Sequence, residues 1–365
     1  MKMIFFVLPL IYIGANCYLF IRTLQAFSWL PLWAKVVLSI VFWVVVFSLF
    51  AAIGLRESHL PNVLLKLFFR AGSVWMIFLL YMVMLLAVAD LVKLAFPAMG
   101  NTFWFALPAT CLLLLYGNLN YCNPKMEHIE VISERSFEGE NIRVVAISDV
   151  HLGYGTGLTA LKKYIKLINE EKPDLILILG DLIDNSLKPI EQEPFDEALS
   201  MLNAPLGIYM APGNHEYISG IEHVAEYLKK TPIKLLRDSV VALPNGIQIV
   251  GRDDCTNHHR APLTDLLAKT NSKQPTIVLN HQPYSLAETD SLKVDLLLCG
   301  HTHRGQVFPL NLITDKLYEQ SHGYRKWSYS HIWVSSGLSL WGPPFRIGTQ
   351  SDFAVIDIKK YKQNN

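Results

Sequence analysis

The chain has 365 residues, enough for one large domain and a second region, and its formal net charge is +1. Hydrophobic residues make up 51% and charged residues 17%, whereas an average soluble protein has about 25% charged residues. Residues 1–120 carry a net charge of +5 and residues 121–365 carry −4. Neither part is basic enough to indicate a nucleic-acid partner, which argues against a nuclease. The five cysteines are scattered and predict neither a disulfide framework nor a zinc knuckle.

Long apolar segments dominate the amino-terminal third of the chain. Three of them contain no charged residue, namely Met3–Ile21, Val36–Leu55 and Ala71–Ala89. A fourth uncharged segment, Leu94–Pro124, is interrupted by two prolines and a glycine. Because about 20 apolar residues are needed for a helix to cross a bilayer, residues 1–122 are predicted to form about four transmembrane helices.

The first segment has an alternative interpretation as a cleaved signal peptide, with Lys2 as its basic end. No small-residue cleavage site follows, so a retained anchor is predicted. With four spans, five flanking basic residues lie on the side of the carboxyl-terminal domain and three on the opposite side. Because cytoplasmic flanks of membrane spans are enriched in basic residues, that domain is predicted to face the cytoplasm. Loss of the fourth span would reverse this orientation. Asp90, at the end of a span, is interpreted as an interfacial residue rather than an intramembrane functional acid.

Residues 123–140 are predicted to be a polar linker leading into the first strand, and residues 141–361 a second domain. Apolar runs there predict strands at Ile142–Ser148, Leu175–Leu179, Gly207–Met210, Val240–Leu243, Ile247–Val250, Thr276–Leu279, Asp295–Leu298, Ile332–Ser335 and Phe353–Ile358. Helical spacing is found at Leu158–Glu171, Phe195–Leu202, Ile221–Lys230 and Leu263–Lys269. This order favours a mixed α/β domain with two sheets over one doubly wound sheet.

Five of these strands end in polar clusters. In chain order the clusters are Asp149-Val-His151, Gly180-Asp181-Leu-Ile-Asp184, Gly213-Asn214-His215-Glu216, His281 and Gly300-His301-Thr-His303. Ligands of α/β sheets bind at the carboxyl ends of strands. Carboxylate and imidazole groups without thiolates suit Mn, Fe or Zn, and argue against a structural zinc site. Seven candidate ligands are too many for one ion and suit two ions that share a carboxylate.

These five blocks resemble the calcineurin-like metallophosphoesterases over roughly residues 140–360. Further stretches resemble the bacterial branch with an amino-terminal membrane region, namely Glu216-Tyr217, Gly305-Gln306-Val-Phe-Pro-Leu-Asn and Trp341-Gly-Pro-Pro-Phe-Arg346. The resemblance implies a four-layer αββα sandwich with two mixed sheets, preceded by the all-α membrane block. It also implies an integral, multi-pass protein of a bacterial inner or cell membrane.

The resemblance further implies a dinuclear metal centre, with manganese the favoured metal. The first ion would be held by Asp149, His151, Asp181 and His303. The second ion would be held by Asp181, Asn214, His281 and His301, with Asp181 bridging. A hydroxide shared by the two ions would attack phosphorus. His215, beside Asn214, would donate a proton or hydrogen bond to the leaving group. Asp184 would not bind a metal itself but would orient the side chain of a residue that does.

Four other groups of residues have open roles. Arg304 follows the last ligand, where this family often has glycine, and is either a cation over the phosphate or a solvated loop residue. Arg346 and Tyr217 are candidate substrate contacts. Cys255, His258 and His259 lack a fourth ligand and are interpreted as a polar loop.

The resulting hypothesis is a membrane-anchored phosphoesterase acting on a phosphodiester, phosphomonoester or pyrophosphate. Related enzymes cleave the pyrophosphate of a nucleotide-linked acylated sugar in lipid A assembly, so a lipid-linked substrate of the UDP-diacylglucosamine type is one expectation. The alternative is a catalytically weak membrane scaffold or sensor that uses the same fold. Such proteins normally lose metal ligands, and none is lost here.

Overall fold

The computed structural model describes residues 4–139 and 141–361. Lys2 and the predicted domain border at residue 140 lie outside these residues. The chain divides into two compact units, one of residues up to 119 together with 342–345, and one of residues 120–341 together with 346 onward. The predicted borders of the linker and of the second domain stay predictions.

The first unit is helical. Its helices are α1 (Ile4–Ala26), α2 (Leu32–Gly54), α3 (Asn62–Ala95) and α4 (Phe103–Tyr121). In the described part of the chain these four helices are long and apolar enough to cross a membrane. They correspond to the four predicted apolar segments. The break between α3 and α4 contains Pro97 and Gly100, whereas Pro108 lies inside α4, as transmembrane helices tolerate.

One ion pair joins two helices of this unit. Arg22 of α1 pairs with Asp90 of α3. Tyr18 Oη donates a hydrogen bond to Asp90 over 3.0 Å, and Thr102 Oγ1 donates another over 2.7 Å. Because a charge among apolar helices is costly without partners, these donors account for the presence of a carboxylate there. The interfacial position of Asp90 stays a prediction.

The second unit contains twelve described strands in two sheets. They are β1 (Lys125–Ser133), β2 (Asn141–Ile147), β3 (Leu175–Ile178), β4 (Ile208–Met210), β5 (Ile233–Leu235), β6 (Ser239–Ala242), β7 (Gln248–Gly251), β8 (Thr276–Leu279), β9 (Leu296–Cys299), β10 (Gly323–Lys326), β11 (His331–Val334) and β12 (Asp352–Lys360). The first sheet has the order β1-β12-β2-β3-β4-β5, and the second has β10-β11-β9-β8-β7-β6. Both sheets are mixed: β12 is antiparallel to β2, and β6 and β10 are antiparallel to their neighbours.

The helices of this unit are short. They are α5 (Leu158–Glu170), α6 (Lys188–Glu191), α7 (Phe195–Leu199), α8 (Asn214–Ile218), α9 (Ile221–Leu228), α10 (Leu263–Leu267), α11 (Leu286–Ser291) and α12 (Leu310–Leu317), with a 3₁₀ turn at His303–Gly305. The four helices predicted from spacing are present with ends that differ by up to three residues. Helix α12 was not predicted, because its apolar residues Leu310, Ile313 and Leu317 are exposed and signal no buried face.

The alternation of side chains along β2 accounts for the layers. Val144 and Ala146 point into a core between the two sheets, where they join residues of β8 and β9 such as Ile277 and Leu298. Val145 packs on the opposite face, in a core shared with α5, α7 and α9. A third core lies between the second sheet and α10 and α11. The strands are therefore apolar on both faces, and the predicted four-layer αββα sandwich with two mixed sheets is confirmed.

Candidate metal centre

The polar clusters of the sequence meet where the central strands end. Asp149 and His151 follow β2, Asp181 follows β3 and Asn214 follows β4, and these three strands are parallel neighbours. In the second sheet, His281 follows β8, and two further histidines follow its parallel neighbour β9. Parallel neighbours end at the same edge of a sheet, which is why residues far apart in sequence become neighbours.

One group of ligand atoms consists of Asp149, His151 and His303. The Nε2 atoms of the two histidines are 3.1 Å apart. Asp149 Oδ1 lies 3.4 Å from His303 Nε2 and 3.8 Å from His151 Nε2. Asp149 and His151 are buried, while the His303 side chain is 16% exposed. All three ligand atoms lie within 4.8 Å of one another, close enough to bind one ion.

A second group consists of Asp181, His281 and His301. Asp181 Oδ2 lies 3.1 Å from His281 Nε2, and Asn214 Oδ1 lies 3.0 Å from His301 Nδ1. The same Asp181 oxygen is 3.9 Å from His151 Nε2 in the first group. The carboxylate of Asp181 therefore lies between the two groups. The structure brings all seven predicted ligands together.

The unsatisfied atoms of the site fit divalent cations. Asp149 Oδ1 and His281 Nε2 are buried and make no hydrogen bond of acceptable geometry within the described residues. His281 Nδ1 lies 2.7 Å from the carbonyl oxygen of Leu179, which leaves Nε2 as the free ligand atom. A buried carboxylate oxygen without a donor is costly unless a cation lies beside it. The oxygen and nitrogen donors suit Mn, Fe or Zn, and the chain can hold two such ions.

Electrostatics keep the central carboxylates ionised. Burial alone would raise the pKa of Asp181, but the imidazoles of His281 and His215 outweigh burial and hold that pKa well below its usual range. The pKa of Asp149 is likewise lowered against burial, chiefly by His303 and His151. Both groups are therefore anionic at neutral pH, the state in which carboxylates bind metal.

Glycine is required at two positions of the site. A Cβ at Gly213 would lie 2.2 Å from Asp181 Oδ1, and a Cβ at Gly300 would lie 1.8 Å from Ser148 Oγ and 2.5 Å from Asp149 Oδ2. No side chain fits at such distances. The two glycines let their loops approach the carboxylates directly.

Five candidate ligands have left-handed backbone conformations. Their φ angles are +55° at Asp149, +50° at His151, +52° at Asp181, +73° at His301 and +47° at His303. Residues other than glycine rarely adopt this region, which costs about 1 kcal/mol or more at each residue. Strain of this kind concentrates at functional sites, where the surrounding structure holds the residues in place.

The carboxylate of Asp184 lies next to two histidines of the site. Asp184 Oδ1 is 3.1 Å from His215 Nδ1 and 3.5 Å from His151 Nδ1. Burial would raise the pKa of Asp184, but these two imidazoles outweigh it and lower the pKa. Asp184 thus contacts both a candidate ligand and the candidate proton donor. Its predicted orienting role is compatible with these distances and stays a prediction.

Glu216 organises the loop that carries Asp181. Its carboxylate accepts hydrogen bonds from the backbone N–H groups of Asp181 at 2.9 Å, Ile183 at 3.0 Å and Gly213 at 2.7 Å. Burial and the nearby Asp181 carboxylate raise the pKa of Glu216 to about 7. The sequence places Glu216 in the polar cluster after β4 and in the family resemblance, but predicts no role for it. The signal that could have found it is a glutamate two residues after Asn214, at the start of a helix.

His215 lies at the opening of the site. Its side chain is 12% exposed, whereas His151 and Asp181 are almost fully buried. Its backbone N–H donates to Asp181 Oδ1 over 2.8 Å, and its ring centroid is 4.6 Å from that of His151. His215 is therefore held beside the ligands while part of its ring stays accessible to a substrate.

The prediction that Arg346 contacts substrate is wrong. Arg346 is fully buried and donates to the carbonyl oxygen of His303 over 2.6 Å. Its other donors bind the carbonyl groups of Ser336, Gly337 and Ser339 and the hydroxyl of Ser351. The side chain is 0% exposed, so a substrate does not reach it. Arg346 instead fixes the loop that carries His303.

The structure also places the three other groups of residues whose roles were open. Tyr217 Oη donates to Asp253 over 2.7 Å, and a substrate contact for Tyr217 stays untested. Cys255, His258 and His259 belong to none of the metal-compatible groups among the described residues, in agreement with a polar loop. Arg304 is neither fully buried nor exposed, and its Nε atom is buried without a hydrogen-bond partner.

Comparison with known proteins agrees with this geometry. The family model of the calcineurin-like phosphoesterases matches residues 142–305. An uncharacterized metallophosphoesterase of Campylobacter jejuni is 30% identical over 292 residues, which cover 75% of this chain and 77% of that protein. A transmembrane protein with metallophosphoesterase domain from Danio rerio is 30% identical over 273 residues, covering 70% of this chain and 62% of that protein.

Solved structures with similar folds include the 5'-nucleotidase precursor of Thermus thermophilus, at 18% identity and a TM-score of 0.36, covering 55% of this chain and 49% of that one. The fold and the site define a metal-dependent hydrolase of phosphoric esters. The chain belongs to the calcineurin-like metallophosphoesterases.

Proposed function

We propose that this chain is a membrane-anchored enzyme that hydrolyses a phosphodiester, phosphomonoester or pyrophosphate bond with the help of two divalent ions. The observation that carries the proposal is the position of Asp181 between two groups of ligand atoms, 3.1 Å from His281 and 3.9 Å from His151. Asp149, His151, Asp181 and His303 would hold one ion. Asp181, Asn214, His281 and His301 would hold the other, and manganese is the metal we favour.

When bound, a pair of ions lowers the pKa of a water molecule and neutralises the phosphoryl oxygens. The remaining tasks fall to the side chains. His215, at the opening, donates a proton to the leaving oxygen. Asp184 holds the His215 ring in position from behind, at 3.1 Å. Asn214 would offer its amide oxygen to the second ion, and that oxygen lies 3.0 Å from His301 Nδ1.

An amphiphilic, lipid-linked substrate is supported by the surface beside His301 and His303. The ring of Tyr318 lies 6.5 Å from that of His301, and Tyr284 stacks on Tyr318 at 5.7 Å. Helix α12 packs on the 3₁₀ turn that contains His303 and exposes Leu310, Ile313 and Leu317. Exposed apolar surface of this kind suits acyl chains. We therefore extend the proposal to a nucleotide-linked acylated sugar pyrophosphate.

The alternative is a membrane scaffold that keeps the fold without catalysis. Loss of one or more ligands would favour the scaffold, because a protein that binds no metal gains nothing from residues with a costly backbone conformation. All seven candidate ligands are present, and five of them adopt costly backbone conformations. This observation favours the enzyme over the scaffold.

The enzyme proposal is tested with the purified full chain in detergent, using bis-p-nitrophenyl phosphate and Mn²⁺. We expect metal-dependent release of p-nitrophenol by the wild type and a loss of at least about 1,000-fold in Asp181→Ala, because both ions lose a ligand. Asp265→Ala removes an exposed aspartate of α10 and is the matched control. Equal and negligible rates for wild type and Asp181→Ala with several metals would refute the proposal.

The lipid-linked substrate and the orientation need separate experiments. Comparison of kcat/KM for a pyrophosphate diester with long acyl chains and for its deacylated form tests the substrate. A preference of tenfold or more for the acylated form supports it, and equal values contradict it.

We also propose that the catalytic domain faces the cytoplasm of a bacterial cell, which a reporter fused to the carboxyl terminus tests.

A further inference from the structure

A cavity of about 590 Å³ lies in the catalytic unit, among residues at the starts of β1 and β12, in β10 and in the 3₁₀ turn. Its charged lining residues are Lys125, Glu127, Arg304, Arg325 and Asp352, and His322 lies beside them. None of the seven proposed metal ligands lines it. We call it the basic pocket.

Three cations line the basic pocket. Among the described residues, no ion pair involves Lys125, Arg304 or Arg325, whereas Arg237 pairs with Glu222. Three unpaired cations around one cavity repel one another. Such an arrangement is stable when an anion lies between them.

The two carboxylates of the basic pocket are bonded to protein groups. Glu127 accepts a hydrogen bond from Trp333 Nε1 over 2.8 Å. Asp352 accepts from Ser335 Oγ over 2.7 Å and from the backbone N–H of Ser336 over 2.9 Å. These hydrogen bonds fix the walls of the pocket, and its three cations exceed its two carboxylates by one positive charge.

Arg304 supplies an independent observation. Its φ of +49° lies in the left-handed region, between His303 and Gly305, where most residues are strained. Its Nε atom is buried and has no hydrogen-bond partner. A guanidinium presents five donors and no acceptor, so a buried N–H without an acceptor is costly. Arg304 lines the cavity, and phosphate oxygens match the geometry of a guanidinium.

We propose that the basic pocket binds a phosphate group, separately from the metal centre. The phosphate belongs either to the headgroup of an anionic lipid or to a soluble phosphate. Lys125 follows the membrane-length helix α4 by four residues, so lipid headgroups are one source, and juxtamembrane basic residues commonly bind them. This proposal does not depend on catalysis at the metal centre.

The test uses the full chain in nanodiscs, with EDTA present so that phosphate cannot bind to metal ions. Two probes are compared by the midpoint of thermal unfolding. One is inorganic phosphate added to phosphatidylcholine nanodiscs, and the other is phosphatidylglycerol built into the nanodisc. A ligand that binds only the folded protein raises the midpoint in proportion to its occupancy.

The test variant is Lys125→Gln/Arg325→Gln, and the control is Lys234→Gln/Lys326→Gln, which removes the same charge outside the pocket.

We expect at least one probe to raise the midpoint of the wild type and of the control variant. The test variant should need at least about tenfold more of that probe for the same shift, because it loses two charged contacts. A response to phosphatidylglycerol alone identifies a lipid headgroup, and a response to inorganic phosphate identifies a soluble ligand. The proposal is overturned if neither probe distinguishes the test variant from the control.

Discussion

Asp184 Oδ1 lies 3.1 Å from Nδ1 of His215, beneath the opening of the metal centre. A carboxylate only accepts hydrogen bonds, so this contact favours a proton on Nδ1 and directs Nε2 to the substrate. The same oxygen lies 3.5 Å from Nδ1 of His151. One buried carboxylate oxygen thus lies close to a ring nitrogen of both a proposed metal ligand and the proposed proton donor.

Replacement of Asp184 by asparagine should lower kcat by about 10- to 100-fold, because His215 and His151 lose their orienting acceptor. The amide can also present a donor to Nδ1 and favour the wrong tautomer. Steady-state hydrolysis of bis-p-nitrophenyl phosphate at saturating Mn²⁺ measures the effect. A kcat within twofold of the wild type would show that Asp184 does not position these rings.

Replacement of His215 by glutamine should have an effect that depends on the leaving group. A proton donor matters most when the leaving group is a poor one. We expect a loss of about 100-fold or more for an alkyl phosphodiester and a much smaller loss for an ester of p-nitrophenol. Ratios of kcat for the two substrates in wild type and variant provide the measurement. Equal losses for both substrates would instead indicate a role in binding or metal retention.

Replacement of Glu216 by glutamine should destabilise the catalytic unit by about 2–4 kcal/mol. Three backbone N–H groups converge on the Glu216 carboxylate, and the glutamine amide group would face some of them with its own donors. Thermal unfolding of the metal-free chain detects the change. Glu197→Gln alters an exposed glutamate of α7 and should leave the midpoint unchanged. Equal midpoints for the two variants would contradict the proposed role of Glu216.

The stability of the unit should fall as the pH is lowered, in part through His331. Burial, together with Lys326, lowers the pKa of His331 to about 4, below its ordinary value of 6.5. At pH 7 the imidazole is neutral in both states. At pH 5 the unfolded chain binds a proton that the folded chain does not, so stability is lost between about pH 6.5 and 4.

For this half-buried group we expect about 1 kcal/mol of that loss at pH 5, after allowance for solvent screening. His331→Gln should remove this contribution and flatten the dependence of the unfolding free energy on pH between 7 and 5. The comparison is made with EDTA in both samples. An unchanged slope in the variant would mean that His331 titrates normally in the folded state.

The ligand clusters could be predicted from sequence because local rules place them. A polar residue directly after a buried strand lies at the sheet edge, so Asp149, Asp181 and His281 are weak signals singly and strong ones as a set. Their order and spacing then indicated a shared centre. The positions of nine of the twelve described strands followed from apolar runs, with shifts of one or two residues at the ends, whereas β5 and β10 were not predicted.

The remaining features depend on contacts between distant segments. Arg346 was misassigned because its acceptors, including the carbonyl group of His303, come from loops that meet only in the folded chain. Helix α12 escaped prediction because its apolar side chains are exposed rather than buried. Likewise, the sequence offers no indication that Lys125 and Arg304 share a cavity, since 178 positions separate them.

The central claim is that two ions share Asp181, and the metal content of the purified chain tests it most directly. Elemental analysis after loading with Mn²⁺ and removal of excess metal should give two ions per wild-type chain. Asp181→Asn should retain at most one, and Asp265→Asn should retain two. One ion per wild-type chain at saturation, or two in Asp181→Asn, would contradict the account.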